Sequence, residues 1–241
     1  METKRISLWS GPRNVSTALM YSFAQRNDTE AYDEPLYAHY LIHEKARPEH
    51  PAESEIIAAQ ENRGEKVIQE LFLGPSKSPI RFFKNMAHHL VELEWGFLGS
   101  LNNVLLTRDP KEMLMSYKNT IPEFKISDTG YPKLKKLCDA ILALGQEPVV
   151  IDSKVLLQSP KTTLVKLCAK LDIPFSESML SWPAGTKEPD GVWAPHWYHN
   201  VHRSNGFGAY RPKTEPFPNE LQGILEECQL LYNALSPWVL K

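Results

Sequence analysis

The chain has 241 residues, with 27 lysines and arginines against 29 aspartates and glutamates, for a formal net charge of -2. That balance provides neither the basic footprint of a nucleic-acid binder nor attraction to an anionic membrane surface, so any anion site has to be local. Cys138, Cys168 and Cys228 are odd in number and far apart, which argues against a disulfide framework or a zinc ligand set and for small core residues in a reduced compartment. No run reaches membrane-spanning length, and the N-terminus enters a strand pattern directly without a signal peptide. One domain over residues 1–241 and a cytoplasmic location are therefore expected, with oligomeric state left open.

Near the start, Arg5-Ile6-Ser7-Leu8-Trp9 runs into Ser10-Gly11-Pro12-Arg13-Asn14-Val15-Ser16-Thr17 and then a helical pattern. Apolar run, Gly-Pro turn, paired hydroxyls and helix read as strand, loop and helix N-terminus. Such a junction binds anions, because the first helical N–H groups are unpaired and carry the positive end of the dipole. Gly11, Pro12, Arg13, Asn14, Val15, Ser16 and Thr17 form the candidate cradle, Arg13 adding a forked cation. An ordinary capped helix after a loop accounts for the same residues equally well.

Leu19, Met20, Phe23 and Ala24 then make a helical stripe that ends near Arg26. Residues 30–37 read as a second strand with Asp33 and Glu34 at its end and Pro35 stopping it. Ligands of an open parallel sheet sit beyond the strand ends, so these carboxylates either face the first loop or cap a local turn. His39, His43 and His50 are dispersed without a metal-ligand pattern. Residues 54–72 suit one long amphipathic helix with a weak point at Gly64. Residues 79–84 make a third strand, and just beyond it stand His88 and His89. Either imidazole is a candidate general base, though neighbours on a helix point apart and only one is expected to face a site. A capping or core histidine is the competing explanation.

Residues 103–117 read as a buried strand running into a helix, with Asp109 as N-cap, Pro110 at the first helical position and Glu112 completing a capping box. Arg108 ends the strand, and Ser116 lies about 10 Å further along the helix axis. A phosphate shared between them explains both residues, whereas neutralisation of a carboxylate explains only the arginine. Further on, Trp193, Trp197 and Tyr198, with Trp182 nearby, form a lid or wall that excludes water from a site, an aromatic box for a cationic group, or the packing beneath a long loop. Leu221, Ile224, Leu225, Cys228, Leu231, Tyr232 and Leu235 keep the spacing of a terminal amphipathic helix.

The two informative stretches resemble the sulfotransferase family. Members wrap the 5′-phosphosulfate of 3′-phosphoadenosine 5′-phosphosulfate with a Pro, Lys or Arg, two small residues and Ser/Thr-Thr, an order matched by Pro12-Arg13-Asn14-Val15-Ser16-Thr17. They hold the 3′-phosphate with a strand-end arginine and a serine eight residues on within an Arg-Asp-Pro helix, and Arg108 and Ser116 reproduce both residue types and their spacing. Residues 148–152 and 159–175 resemble a third family segment, so the likeness covers about residues 5 to 211. Ala18 stands where many members have an adenine-stacking tryptophan, and Asp152-Ser153 replaces a strand-end tyrosine. The glycine-rich C-terminal loop is echoed around Phe207, which the resemblance makes a candidate for stacking on adenine. The string from Trp182 to Tyr198 is similar to a group of bacterial and plant sulfotransferase-like proteins, some labelled aminotransferase-like.

Strands alternating with helices imply an α/β fold with a mainly parallel sheet covered on both faces. The resemblance implies the P-loop NTPase-like three-layer α/β/α form of it. It further implies transfer of a sulfuryl group from 3′-phosphoadenosine 5′-phosphosulfate to a hydroxyl or amine of a small-molecule acceptor, with 3′-phosphoadenosine 5′-phosphate as product and no metal. Arg13 would hold the leaving group, with His88 the first candidate base and Glu34 the second. His89, Trp193 and Trp197 join them at the acceptor. A P-loop nucleotide or small-molecule kinase is one alternative, weakened by the missing Gly-Lys-Ser/Thr ending. A catalytically degenerate nucleotide-binding protein is the other.

Overall fold

Apolar residues in the strands alternate between two faces, and both faces are buried, as a parallel sheet between helical layers requires. In the computed structural model, which describes residues 3–240, Ile6 and Leu8, Ile80 and Phe82, Val104 and Leu106, and Val149 and Ile151 pack into one cluster. Trp9, Phe83, Leu105 and Val150, from the intervening positions, pack into another.

The elements in chain order are β1 (Lys4–Ser10), α1 (Ser16–Ala24), β2 (Thr29–Asp33), α2 (Tyr37–His43), α3 (Glu53–Ala59), α4 (Gly64–Val67), β3 (Ile80–Met86), β4 (Asn102–Thr107) and α5 (Pro110–Lys118). They continue with α6 (Tyr131–Ala143), β5 (Val149–Asp152), α7 (Ser153–Gln158), α8 (Pro160–Lys170), α9 (Ala194–Trp197), α10 (His199–His202) and α11 (Gln222–Leu235). The five strands lie in the order β2-β3-β1-β4-β5, and every pairing is parallel. The α/β fold expected from the sequence is the fold observed. Since β1 is flanked by β3 and β4, its C-terminal loop opens where successive connections diverge, the ligand-binding position of such sheets.

Leu19, Met20 and Phe23 of α1, with Leu164 and Leu167 of α8, cover the first face. Leu134, Leu137 and Ile141 of α6 cover the second, together with Phe72 and Leu98. Phe23 stacks on Phe82 at 4.2 Å, and Phe72 on Phe83 at 4.4 Å. Each such ring contributes about 1.5–3 kcal/mol by leaving water. Cys138, Cys168 and Cys228 are free and buried, as their spacing suggested.

Two expectations need correction. Residues 54–72 do not form one helix: the chain leaves α3 at Gln60, which is extended at φ -121 and ψ 154. There the Gln60 amide accepts from Ala38 N–H at 3.1 Å and donates to the Glu34 carbonyl at 3.1 Å. Helix resumes at Gly64, whose N–H donates to His39 Nδ1 and where an added Cβ would meet Leu93 at 2.7 Å. It then widens into a π turn over Ile68–Phe72. The capping box of α5 is also half made: Asp109 accepts from Glu112 N–H at 3.1 Å, but the Glu112 carboxylate turns to Arg108 and Tyr210 instead.

Candidate active site

The ends of β1, β3 and β4 open into one cavity of about 560 Å³. Residues 11–17 wrap its floor, and Asn14 shapes them: Nδ2 donates to the carbonyls of Gly11 and Leu106 at 3.3 Å each, while Oδ1 accepts from Ser153 Oγ at 3.0 Å. The Asn14 side chain thus ties the loop to the ends of β4 and β5. Gly130, at φ +82, lies so near that a Cβ on it would stand 2.6 Å from Gly11 Cα. Only glycine combines that conformation with that approach. Arg13 takes a left-handed φ of 56, a strain of order 1–3 kcal/mol in a non-glycine residue. No side chain caps α1, so the N–H groups of its first turn are left for an anion.

Arg108 follows β4 directly, its carbonyl fixed by the Tyr131 hydroxyl at 2.7 Å. Its guanidinium donates to the Arg13 carbonyl at 2.8 Å and to Glu112 at 3.3 Å. Arg13 Nε in turn donates to Ser116 Oγ at 3.2 Å. Arg13, Arg108 and Ser116, distant in sequence, meet at the start of α1. Burial lowers the Arg13 pKa below its ordinary value, and the neighbouring Arg108 lowers it further. Among the described residues Glu112 is the carboxylate paired with either guanidinium. The positive charge left over suits a ligand carrying phosphate or sulfate at two points.

The other end of the cavity is built from β2 and β3. Their register places Asp33 beside Lys84, and Glu34, at φ 44, donates its N–H to the Lys84 carbonyl at 2.7 Å. Lys84 Nζ donates to Asp33 at 3.0 Å, to the Tyr198 hydroxyl at 2.8 Å and to Glu34, and the Tyr198 hydroxyl donates to Asp33 at 2.7 Å. Burial disfavours the Lys84 ammonium, but Asp33 and Glu34 outweigh that and hold its pKa high. Burial pushes the Glu34 carboxyl up to about 7, with Lys84 opposing.

His88 and His89 occupy a 3-10 turn after β3. Both line the cavity, although only one was expected to. Burial lowers the His88 pKa to about 3 and the His89 pKa well below its ordinary value. Both imidazoles are therefore neutral at physiological pH.

Trp193 is buried and donates Nε1 to the Tyr198 hydroxyl at 3.1 Å. Trp197 is half-buried, and both indoles line the cavity. Trp182 packs elsewhere, edge-on to Tyr21 at 6.0 Å. Phe207 is not among the residues lining the cavity: its ring meets the Trp182 ring at 5.2 Å, in the cluster that Val15 and Ala18 also join.

With this geometry in view, the comparisons with known proteins are specific. A family model described as a sulfotransferase domain matches residues 4–236. The chain belongs to the sulfotransferase-domain family. It is 38% identical over 231 residues to branched-chain-amino-acid aminotransferase-like protein 2 of Arabidopsis thaliana, covering 95% of this chain but 41% of that protein. The chain thus spans about two fifths of the length of that curated relative. Two solved structures share the fold. The sulfotransferase domain from the curacin biosynthetic pathway has a TM-score of 0.54 at 16% identity, with 95% of this chain and 98% of that one covered. A sulfotransferase from Alicyclobacillus acidocaldarius has a TM-score of 0.51 at 10% identity, with 99% and 95% covered.

Sequence reading alone missed Lys84 and Ser153 and gave Tyr198 no polar role. The signal for Lys84 was a cation following Phe82-Phe83 in mid-strand, which a buried strand tolerates only with partners. Ser153 had no signal, because its bond to Asn14 joins residues 139 apart. Among the described residues no helix is long and apolar enough to cross a membrane, and no cluster of three His, Cys, Asp or Glu is placed to hold a metal.

Proposed function

We propose that the chain transfers a sulfuryl group from 3′-phosphoadenosine 5′-phosphosulfate to a hydroxyl or amine of a small molecule and releases 3′-phosphoadenosine 5′-phosphate. The observation that carries this reading is the meeting of Arg13, Arg108 and Ser116 at the uncapped start of α1, in one cavity with Glu34. Membership of the sulfotransferase-domain family supports it.

The donor supplies a sulfuryl group on a phosphate leaving group: a bond from the acceptor heteroatom to sulfur forms as the bond from sulfur to the phosphate oxygen breaks. Arg13 and the first N–H groups of α1 would neutralise the charge developing on the leaving phosphate, the kind of term that dominates phosphoryl transfer. Arg108 and Ser116 would hold the second phosphate. Glu34 would take the acceptor proton, because a carboxyl titrating near 7 is matched to that task. His88, the first candidate from sequence, is the weaker base at a pKa of about 3.

Thermal shift tests the reading. Stabilisation by 3′-phosphoadenosine 5′-phosphate, but not by ATP with Mg²⁺, is expected. Stabilisation by ATP with Mg²⁺ alone would point to a kinase, and no response to the bisphosphate overturns the proposal.

A further inference from the structure

The acceptor end of the cavity holds polar atoms that the protein leaves without partners. His89 is 1% exposed, yet neither of its ring nitrogens has a hydrogen-bond partner, and neither does Nδ1 of His88. Native interiors hold few such atoms, and those present usually await a ligand or water. The His89 ring cannot turn to find other partners, since it is stacked between Tyr37 at 4.7 Å and Tyr40 at 4.8 Å. Its Nε2 stands 3.8 Å from Glu34 Oε2, too far for a hydrogen bond but close enough for one oxygen atom to touch both. The His88 ring lies 4.8 Å from that of His89 and at 88° to it, so the two imidazoles address different points.

The chemistry of these groups selects the ligand. A neutral imidazole presents one N–H donor and one lone-pair acceptor, and burial keeps both rings neutral. An ammonium only donates and a carboxylate only accepts, whereas a hydroxyl does both. Of the cations lining this end of the cavity, Lys84 and Arg47 already pair with carboxylates of the protein. Lys84 is held by Asp33, Glu34 and Tyr198. The terminal nitrogens of Arg47 are held by Glu53 and the carbonyls of Leu41 and Pro48, its Nε has no partner, and Lys133 donates to the Leu90 carbonyl.

We infer that the acceptor is an uncharged polyol. Its reacting hydroxyl bridges Glu34 Oε2 and His89 Nε2, a neighbouring hydroxyl meets His88 Nδ1, and its C–H face lies against the cavity walls of Tyr40 and Trp197. This assignment rests on the sulfuryl-transfer reading above. On transfer, the hydroxyl proton passes to Glu34 as the oxygen bonds to sulfur, leaving a sulfate monoester and the bisphosphate.

The test titrates the protein, saturated with 3′-phosphoadenosine 5′-phosphate, with a cyclitol, a methyl glycoside, a phenol, a primary amine and a hydroxy acid of similar size. The cyclitol or the glycoside is expected to bind at least about tenfold more tightly than the other three, and to accept label from the sulfated donor. His89→Phe keeps the ring stack and should weaken polyol binding about tenfold or more, leave bisphosphate affinity unchanged and raise the unfolding midpoint. Preference for the phenol, amine or hydroxy acid, or polyol binding indifferent to His89→Phe, overturns the inference while leaving the donor reading intact. Loss of bisphosphate binding by the unmodified protein overturns both. Should His89→Phe fail to fold, His88→Leu and the unmodified protein decide by the same criteria.

Discussion

Arg13 Nε donates to Ser116 Oγ at 3.2 Å across a separation of 103 residues. The bond joins the loop after β1 to the second turn of α5, so the parts proposed to hold the two phosphates form one continuous surface. Hydrogen bonds to charged groups contribute about 1.5–3 kcal/mol each. Arg108→Ala should therefore raise the dissociation constant for 3′-phosphoadenosine 5′-phosphate by about tenfold or more in calorimetric titration. Arg13→Ala and Ser116→Ala together should cost less than the sum of the two, since each breaks the same contact. An Arg108→Ala protein that binds the bisphosphate normally would remove Arg108 from the phosphate site.

Glu34 is expected to impose a pH limb on turnover. Its carboxyl, raised by burial to about 7 with Lys84 opposing, accepts a proton only when ionised. The rate should then rise with pH to about 7 and level off above. Glu34→Gln should lower kcat by about 100-fold or more, the range for a general base. His88→Asn should keep the same limb. A pH–rate profile in which Glu34→Gln retains turnover and His88→Asn does not would transfer the role to His88.

The buried histidines make the fold acid-sensitive. His88 and His50 titrate at about 3 and about 4 in the folded chain, chiefly through burial, against 6.5 ordinarily. Below pH 6.5 the unfolded chain binds protons that the folded chain refuses, so this contribution to stability is complete above pH 6.5 and is lost as the pH falls. For His88 alone the loss at pH 5 is about 2 kcal/mol. Glu34, raised to about 7, works the other way and favours the fold as the pH falls, so the readout is the difference between proteins: the change in urea-unfolding stability from pH 7 to pH 5 should be less unfavourable in His88→Asn than in the unmodified protein by about that amount. Identical pH dependence in both proteins would mean that His88 is protonated without cost.

Lys84 is the sole cation touching the buried carboxylates of Asp33 and Glu34 among the described residues. Removing one member of such a group leaves an uncompensated charge and costs about 3–5 kcal/mol. Lys84→Met should lower unfolding stability by that order in urea titration. Adding Asp33→Asn should recover part of the loss, because less negative charge then remains buried. A neutral effect of Lys84→Met would show that both carboxyls are protonated in the fold.

Local features told in the sequence wherever the physics was local. The alternating apolar strands, the Asp109-Pro110 start of α5 and the stripe of α11 follow from periodicity and capping, and each stands about where expected. The likeness of residues 12–17 and of Arg108 with Ser116 to the sulfotransferase pattern was legible for the same reason, as spacing along one element carries it. The break between α3 and α4 was not, since it depends on Gln60 reaching Glu34 and on His39 and Leu93 crowding Gly64. The sequence by itself determined the sheet, the loop between β1 and α1 and the residue types of the candidate site. Tertiary structure alone decided that Arg13 meets Ser116, that Asp33 falls beside Lys84, and that Glu34 rather than His88 titrates near neutrality. Burial and long-range register set those three, and neither is a property of a short stretch of chain.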